Sequence, residues 1–299
     1  TYYSEATGRG ADTDEQTRLV FNTGAEVSFK LSRLWASARN RLLDVDGIRH
    51  IVQPTFNYAY TPEPSALPEE LPQFDTEWPS LRLLPIQFPD LNAIDAIDSQ
   101  NVLRLGLRNK LQTKRGGQVE NLLNWDLYTD WRLDPRAEQD TFADLFSDLD
   151  LQPRSWLTLT SELRWDVEGG RFRIANHWLT LTPGESWSWS FGHRYLREDQ
   201  DLGFEEGHNL LISTFYCRLN ENWGLRVGHH YEIEDRTVEE QQYTVYRDFR
   251  SWTGALTFRV RDDRDGPLDF GAAFTFQLKA FPRFRAGEDR NKPSLLLGS

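Results

Sequence analysis

The stretch NVLRLGLRNKLQTKR, residues 101–115, decides the fold class. Leucine recurs at every second position of its first half, and the residues between the leucines are mostly cations or amides. The apolar face carries Leu103, Leu105, Leu107 and Leu111, and the polar face carries Arg104, Arg108, Lys110, Gln112 and Lys114. Alternation with a period of two over this length predicts a long β-strand with one apolar and one wet face.

The same alternation recurs along most of the chain. We predict about thirteen strands, at 17–36, 48–61, 101–115, 122–133, 144–152, 155–167, 170–182, 186–195, 207–219, 222–234, 240–248, 252–261 and 268–281. Both faces of 170–182 and of 207–219 carry apolar groups, so the sidedness of these two strands stays open. No segment has an apolar stripe with a period of 3.6 residues, so almost no helix is predicted.

Several features favour a membrane barrel over a soluble β-sandwich or barrel, which would also alternate. The predicted strands are about 10–15 residues long, whereas strands of soluble proteins usually have about 5–6 residues and a tilted membrane strand needs about 9–11. Aromatic residues lie near strand ends, where barrels carry interfacial girdles, as at Tyr58, Tyr60, Trp125, Trp131, Trp223, Tyr231, Trp252 and Phe258. Tight turns alternate with longer polar connections such as 62–100 and 197–206. The predicted fold class is all-β, an antiparallel transmembrane β-barrel.

The composition excludes several other classes of protein. The chain has 299 residues, and its 46 acidic and 34 basic side chains give a formal net charge of −12, which disfavours a broadly basic nucleic-acid binder. No apolar run is long enough for a membrane helix, and Cys217, the single cysteine, excludes a disulfide-linked domain. The sequence has no methionine and begins Thr1-Tyr2-Tyr3. We therefore expect a processed product or a piece of a longer chain.

Three linked pieces of residues 47–115 carry a family resemblance. They read GIRHIVQPTFNYAYTP at 47–62, LPQFDT at 71–76 and IDSQNVLRLGLRNKLQTKR at 97–115. The motif positions are His50, Pro54, Tyr58, Tyr60, Pro62, Pro72, Phe74, Asp75, Asn101, Leu103, Leu105, Gly106, Leu107 and Leu111. This pattern resembles the barrel of the LptD family of lipopolysaccharide-assembly proteins, also called organic solvent tolerance proteins. The segment FGAAFTFQLKAF at 270–281 is similar to the closing strand of that family.

The resemblance implies a very large barrel with a periplasmic β-jellyroll before it. Because the sequence offers about thirteen strands and no jellyroll, we interpret residues 1–299 as a single partial barrel domain, half of a larger barrel. It has a long outer loop at 62–100 and a C-terminal tail at 282–299. Family members from some bacteria have an adjacent cysteine pair where this chain has Ser251-Trp252-Thr253. The family's inter-domain disulfide is therefore not carried over, and Cys217 is interpreted as a strand residue.

The resemblance also implies a function, an outer-membrane translocon of a Gram-negative cell that inserts lipopolysaccharide into the outer leaflet through a lumen and a lateral seam. The implied partners are lipopolysaccharide, a plug lipoprotein of the LptE kind, and a periplasmic lipopolysaccharide bridge that docks on the jellyroll. No cofactor or metal is expected. The alternative is a diffusion porin or a substrate-specific outer-membrane transporter, for which the loop 62–100 is long enough to fold inward as a constriction.

Cationic side chains of the wet face are the candidates for contact with phosphate or sugar, because guanidinium pairs bidentately with phosphate. They are Arg104, Arg108, Lys110, Arg164, Arg194, Arg226 and Arg259. The alternative for each is neutralisation of a neighbouring carboxylate, drawn from Asp126, Asp130, Asp144, Asp148, Asp150, Glu162 and Asp166. Sequence alone leaves both interpretations open.

The last predicted strand, 268–281, is the expected seam. It carries Phe270, Gly271, Ala272, Ala273 and Phe274. The small residues add little cross-strand contact, which would ease opening, although they are also ordinary barrel residues.

Acidic residues of the outer loops could bind divalent cations or could simply be solvated. They are Glu198, Asp199, Asp201, Glu205, Glu206, Glu239 and Glu240. An enzyme is not expected, because no G-x-S-x-G nucleophile motif, zinc spacing or phosphate-binding glycine loop is present among the six histidines and the serines. By alternation, His229 faces lipid and His230 faces the lumen.

Overall fold

A computed structural model describes residues 2–3, 9–10, 16–74, 94–136, 139–198, 207–262, 267–280 and 285–286. One antiparallel sheet of 15 strands dominates these residues. The strands are β1 Thr23–Ser28, β2 Leu31–Asn40, β3 Val45–Thr61, β4 Gln100–Arg115, β5 Gln118–Arg132, β6 Leu145–Arg154, β7 Leu157–Asp166, β8 Arg171–Leu181, β9 Trp187–Leu196, β10 His208–Arg218, β11 Trp223–Glu232, β12 Thr237–Asp248, β13 Trp252–Arg261, β14 Asp269–Leu278 and β15 Arg285–Ala286. The described helix content is one 3₁₀ turn, Pro68–Glu70.

The strand order follows the chain from β3 to β15, and β1 and β2 share the other edge of β3. Each of the thirteen predicted strands overlaps a strand of the sheet, which confirms the all-β class. No helix among the described residues is long and apolar enough to cross a membrane, a finding that does not bear on crossing by strands. The predicted alternation in connection length holds only in part. The connections 116–117, 155–156 and 249–251 at one end are short and 133–144 and 197–207 at the other are longer, but 167–170 and 233–236 on the longer side are no longer than 219–222 on the shorter side.

The first predicted strand, 17–36, was wrong as one element, and Pro54 explains the difference. Residues 18–22 lie outside any strand, and β1 and β2 are separated by Phe29 and Lys30, although both pair with β3 in the same register. Phe29 N–H donates to the Pro54 carbonyl at 3.4 Å. Proline has no N–H with which to return that bond, so the ladder is interrupted there.

The two faces of the sheet differ in chemistry as the alternation predicts. Directly opposite residues on antiparallel strands share a face, so the pairing assigns every strand. The apolar face exposes large side chains, including Val27, Leu31, Phe56, Leu107, Trp125, Phe191, Phe215, Leu256 and Phe274. An exposed apolar face of this extent marks a surface that contacts lipid or protein.

Aromatic side chains gather toward both ends of this apolar face. Trp187, Trp223 and Trp252 begin strands that follow short connections. Trp131, Trp165, Tyr195 and Tyr231 lie within two residues of the opposite strand ends. Two such belts separated by aliphatic residues are the pattern of a barrel wall in a bilayer, and the short connections of such barrels face the periplasm.

A small cluster outside the sheet ties the long connection between β3 and β4 to the N-terminal segment. Arg18 is 1% exposed and donates to the carbonyl oxygens of Ile94 at 2.9 Å and Asp95 at 3.0 Å, and also to that of Ile97. The Tyr3 hydroxyl donates to the Asp95 carboxylate, and burial together with this bond raises the pKa of Tyr3 to about 12. The end of the connection next to β4 is thus anchored to the N-terminal segment.

Candidate functional site: the polar face of the sheet

The polar face of the sheet gathers all seven predicted cationic side chains. Rows of directly opposite residues place Arg104 beside Asp130, Arg108 beside Asp126 and Arg194 beside Asn176. The same rows, followed from strand to strand, place Lys110, Arg164, Arg226 and Arg259 on this face as well. The alternation therefore predicted the common face of these residues correctly.

Ion pairs dominate the polar face of β4 to β7, which we call the charged half. Arg104 Nε and Nη2 donate to the two oxygens of Asp130 at 2.7 and 2.9 Å, so this pair is bidentate. Arg108 Nε donates to Asp126 at 2.9 Å on the same two strands. Bidentate, charge-assisted bonds hold both partners in one geometry.

The long-connection rim of the charged half carries a denser network. Arg164 and Arg173 both contact Asp144, the latter at 3.3 Å, and Arg173 also lies 3.6 Å from Asp166. The Asp144 and Asp166 side chains are almost fully buried. For Arg164, as for Arg104, Arg108 and Arg259 with its partner Asp269 at 3.2 Å, the structure shows the neutralising contact.

The other three of the seven cations differ from these four. Lys110 and Arg194 make no ion pair with another residue in the described part of the chain, and Arg194 is exposed. Arg226 instead lies over the ring of Tyr246, with its guanidinium carbon 5.6 Å from the ring centroid. Lys110 and Arg194 are therefore the best-placed cations for an anionic ligand.

Carboxylates also line up across the charged half. Asp126, Asp148 and Glu162 lie directly opposite one another on β5, β6 and β7. Tyr128 donates its hydroxyl to Asp148 at 3.0 Å, and Arg108 approaches Asp126 from the other side. The row Arg108–Asp126–Asp148–Glu162–Asn176–Arg194 is therefore acidic in its middle and cationic at both ends.

Aromatic rings that pack over glycines distinguish the polar face of β8 to β13, which we call the aromatic half. The Trp178 ring covers Gly192 on the next strand, where an added Cβ would lie 2.6 Å from the ring. The Tyr216 ring covers Gly224 in the same way, at 2.9 Å from its hydroxyl. Tyr216 and Tyr246 are 2% and 0% exposed.

These contacts settle the sidedness that the sequence left open. Trp178 on β8 and Tyr216 on β10 face the polar side, while Leu179 and Phe215 face the apolar side. Each of these two polar-face rings, Trp178 and Tyr216, fills the space that a neighbouring glycine leaves. Because the pairing of ring and glycine depends on register between strands, no single strand reveals it.

The family-motif residues do not converge on one site. His50, Pro54, Tyr58, Tyr60 and Asn101 lie on the apolar face, whereas Gly106 lies on the polar face opposite Thr55. Phe74 is exposed, with its N–H bonded to Asp95 at 3.0 Å, and Asp75 lies outside the described residues. The structure does not test a functional role for these positions.

The histidines are dispersed over the sheet. His229 lies on the apolar face against Tyr243 and His230 lies on the polar face, as alternation predicted. His177 stacks on His193, which bonds Asn209 at 2.8 Å, all on the apolar face. In the part of the chain that the structure describes, no histidine nitrogen is bonded to a serine hydroxyl.

The candidate cation-binding carboxylates divide into two groups. Asp199, Asp201, Glu205 and Glu206 lie outside the described residues, and Glu198 is exposed. Glu239, in contrast, lies with His208 and Glu232 in a group whose ligand atoms are all within 4.8 Å of one another. The alternation of residues does not reveal that Glu232 lies beside His208, because the two residues belong to different strands.

Comparison with known proteins agrees with this architecture. The family model described as LptD, LPS transport system D, matches residues 1–223, which is more than half of the chain. A search of curated proteins gave no match. The family is one of transport and assembly proteins, and not an enzyme family. The matched region includes β1 to β10, and so covers the charged half and part of the aromatic half of the polar face. The chain therefore belongs to the LptD family of lipopolysaccharide transport proteins of the outer membrane.

Proposed function

We propose that this chain forms part of a translocon that inserts lipopolysaccharide into the outer leaflet through a lumen and a lateral seam. The observation that carries the proposal is one sheet with a charged polar face, an exposed apolar face and, among the described residues, unpaired edges. The polar face would guide the phosphorylated sugar, and the apolar surroundings would receive the acyl chains. Lys110 and Arg194 are the cations best placed to meet phosphate groups.

The proposed seam lies along β14. Residues 269–275 pair with β13 on one side and have no partner strand on the other side among the described residues. Phe270 and Phe274 are exposed there, and Gly271, Ala272 and Ala273 offer little side-chain contact to a closing strand. An unpaired edge is unfavourable in lipid, so this edge needs a partner, and small residues keep that pairing weak enough to open.

Partners follow from the same proposal. The polar face extends across the twelve strands β3 to β14. It would form part of a lumen that a plug lipoprotein of the LptE kind occupies. A jellyroll and further barrel strands of the longer protein would complete the barrel and receive lipopolysaccharide from the periplasmic bridge. Co-purification of a lipoprotein with the intact protein, and its loss on charge reversal at Arg194, would support this arrangement.

Site-specific photo-crosslinking in cells tests the transport route. A photoreactive amino acid replaces Lys110, Arg194 or Phe274, and crosslinks to lipopolysaccharide are detected on denaturing gels. Leu151 is the matched control, because it lies on the apolar face beside the short connection 155–156 and so faces the inner leaflet. We expect crosslinks at the first three positions and none at Leu151.

Depletion of the intact protein provides the second readout. Surface lipopolysaccharide should fall as the protein is depleted. Normal surface levels, with no crosslinks at Lys110 and Arg194, would overturn the proposal. Solute flux through the purified barrel under those conditions would instead support a diffusion porin or a substrate-specific transporter.

A further inference from the structure

A histidine and two glutamates meet at the rim of the polar face where the long connections lie. His208 begins β10, Glu232 ends β11 and Glu239 lies near the start of β12, so three adjacent strands each contribute one side chain. One ligand atom from each residue lies within 4.8 Å of the other two. Glu232 lies in the same cross-strand row as Arg194, two strands away, so the group borders the proposed transport path but offers a different chemistry.

A β-bulge brings Glu239 into this group. His230 pairs with Glu240 and Tyr231 pairs with Val238, so Glu239 is the extra residue of β12. A bulge bends the strand and re-aims a side chain that regular alternation would place on the other face. Without the bulge, Glu239 and Glu232 would face opposite sides of the sheet.

The Glu232 carboxylate is held rigidly at the centre of the group. It is 1% exposed, and it accepts the backbone N–H of Asn209 at 3.0 and 3.2 Å and that of Glu234 at 3.3 Å. A carboxylate offers about four lone-pair sites on its two oxygens, so a carboxylate held by backbone donors can also bind a cation. Backbone donors that orient a ligating carboxylate are typical of the surroundings of metal sites.

His208 supplies an imidazole nitrogen that suits the same cation. Its Nδ1 is buried, has no hydrogen-bond partner among the described residues, and lies 4.0 Å from Glu232 Oε2. A divalent cation bound between this nitrogen and the Glu232 carboxylate would give both of them a partner. One imidazole and two carboxylates carry a total charge of −2, which a divalent cation neutralises.

We propose that His208, Glu232 and Glu239 form a binding site for a divalent transition-metal cation of the Zn²⁺ class. Imidazole selects such cations over Ca²⁺, which prefers oxygen ligands only. Three protein ligands leave a coordination position for water, as in open zinc sites. The bound cation would join β10, β11 and β12 at the rim of the sheet.

The test is metal binding by the intact protein in detergent after treatment with a chelator. Co²⁺ is titrated and its visible absorption recorded, and Zn²⁺ and Ca²⁺ are titrated by calorimetry. We expect one Zn²⁺ or Co²⁺ site per chain, with an intense Co²⁺ band of low coordination number. Glu239→Gln and His208→Gln should each weaken Zn²⁺ binding by about 100-fold. Loss of a residue that only orients a metal ligand already costs about 10–100-fold, and these two residues would bind the metal directly.

Glu240→Gln is the matched control, because it removes the adjacent carboxylate of the same strand and should leave Zn²⁺ binding unchanged. Heat-dependent migration on gels checks that every variant is folded, which matters most for Glu232→Gln. Absence of Zn²⁺ binding in the parent protein would overturn the proposal. So would undiminished binding in folded Glu239→Gln and His208→Gln, or Ca²⁺ binding as tight as Zn²⁺ binding.

Discussion

The charged half and the aromatic half of the polar face stabilise the same kind of surface by different means. In the charged half, the side chains are held by ion pairs such as Arg104–Asp130. In the aromatic half, rings such as Tyr216 and Trp178 fill the space above glycines. Ion pairs in contact with water contribute little free energy, whereas buried rings contribute much. The aromatic half should therefore be the more sensitive to substitution.

The largest effect is expected at Tyr246, which is fully buried and packs edge-on against Tyr216 at 6.1 Å. Tyr246→Ala should lower the free energy of unfolding by about 3–5 kcal/mol, the usual cost of truncating a buried aromatic residue. Urea titration in lipid vesicles, followed by tryptophan fluorescence, measures it. Tyr246→Phe keeps the ring and should cost far less; equal losses in the two variants would argue against ring packing.

The next effect concerns the glycine beneath Trp178. Gly192→Ala places a methyl group 2.6 Å from the ring and should lower the free energy of unfolding by about 2–3 kcal/mol through overpacking. Gly228→Ala is the matched control, because its methyl group would meet nothing closer than 3.8 Å on the same face. The same urea titration compares the two variants. Equal stability of the two would contradict the claim that the Trp178 ring needs a glycine at residue 192.

A smaller effect is expected at the best-ordered ion pair of the charged half. Asp130→Asn should lower the free energy of unfolding by about 1–2 kcal/mol, because it leaves the Arg104 guanidinium partly buried without its carboxylate. The two side chains are 21% and 11% exposed. Adding Arg104→Gln should recover part of the loss. If the loss of stability in the double variant equals the sum of the losses in the two single variants, the two residues are not coupled.

The smallest effect is expected four residues along the same two strands. Arg108 and Asp126 form a comparable contact, but their side chains are 57% and 39% exposed. Asp126→Asn should change the free energy of unfolding by less than about 1 kcal/mol. Repeating the titration at high salt should abolish the difference from the parent protein, since exposed charges are screened. A loss equal to that of Asp130→Asn would remove the distinction by burial.

Period-two alternation was enough to predict most of the sheet. The strands β3 to β14, the common face of the seven cations and the opposite faces of His229 and His230 all follow from the local order of residues. What the sequence did not predict depends on relations between strands. Trp178 covers a glycine of β9, Pro54 interrupts the strand beside it, and the bulge at Glu239 is defined only by its partner strand.

The strand order has a consequence for how the sheet forms. From β4 to β14 every strand pairs with the next one in the chain, so each step closes only a short loop. The entropy of closing a loop grows with its length, and nearby contacts form faster than distant ones. The pairing of β3 with β4 is the exception, because it spans residues 62–99. The bonds from Arg18 to the end of that connection next to β4 stabilise the same long closure, so the kinetics of sheet assembly should depend on a residue that lies outside the sheet.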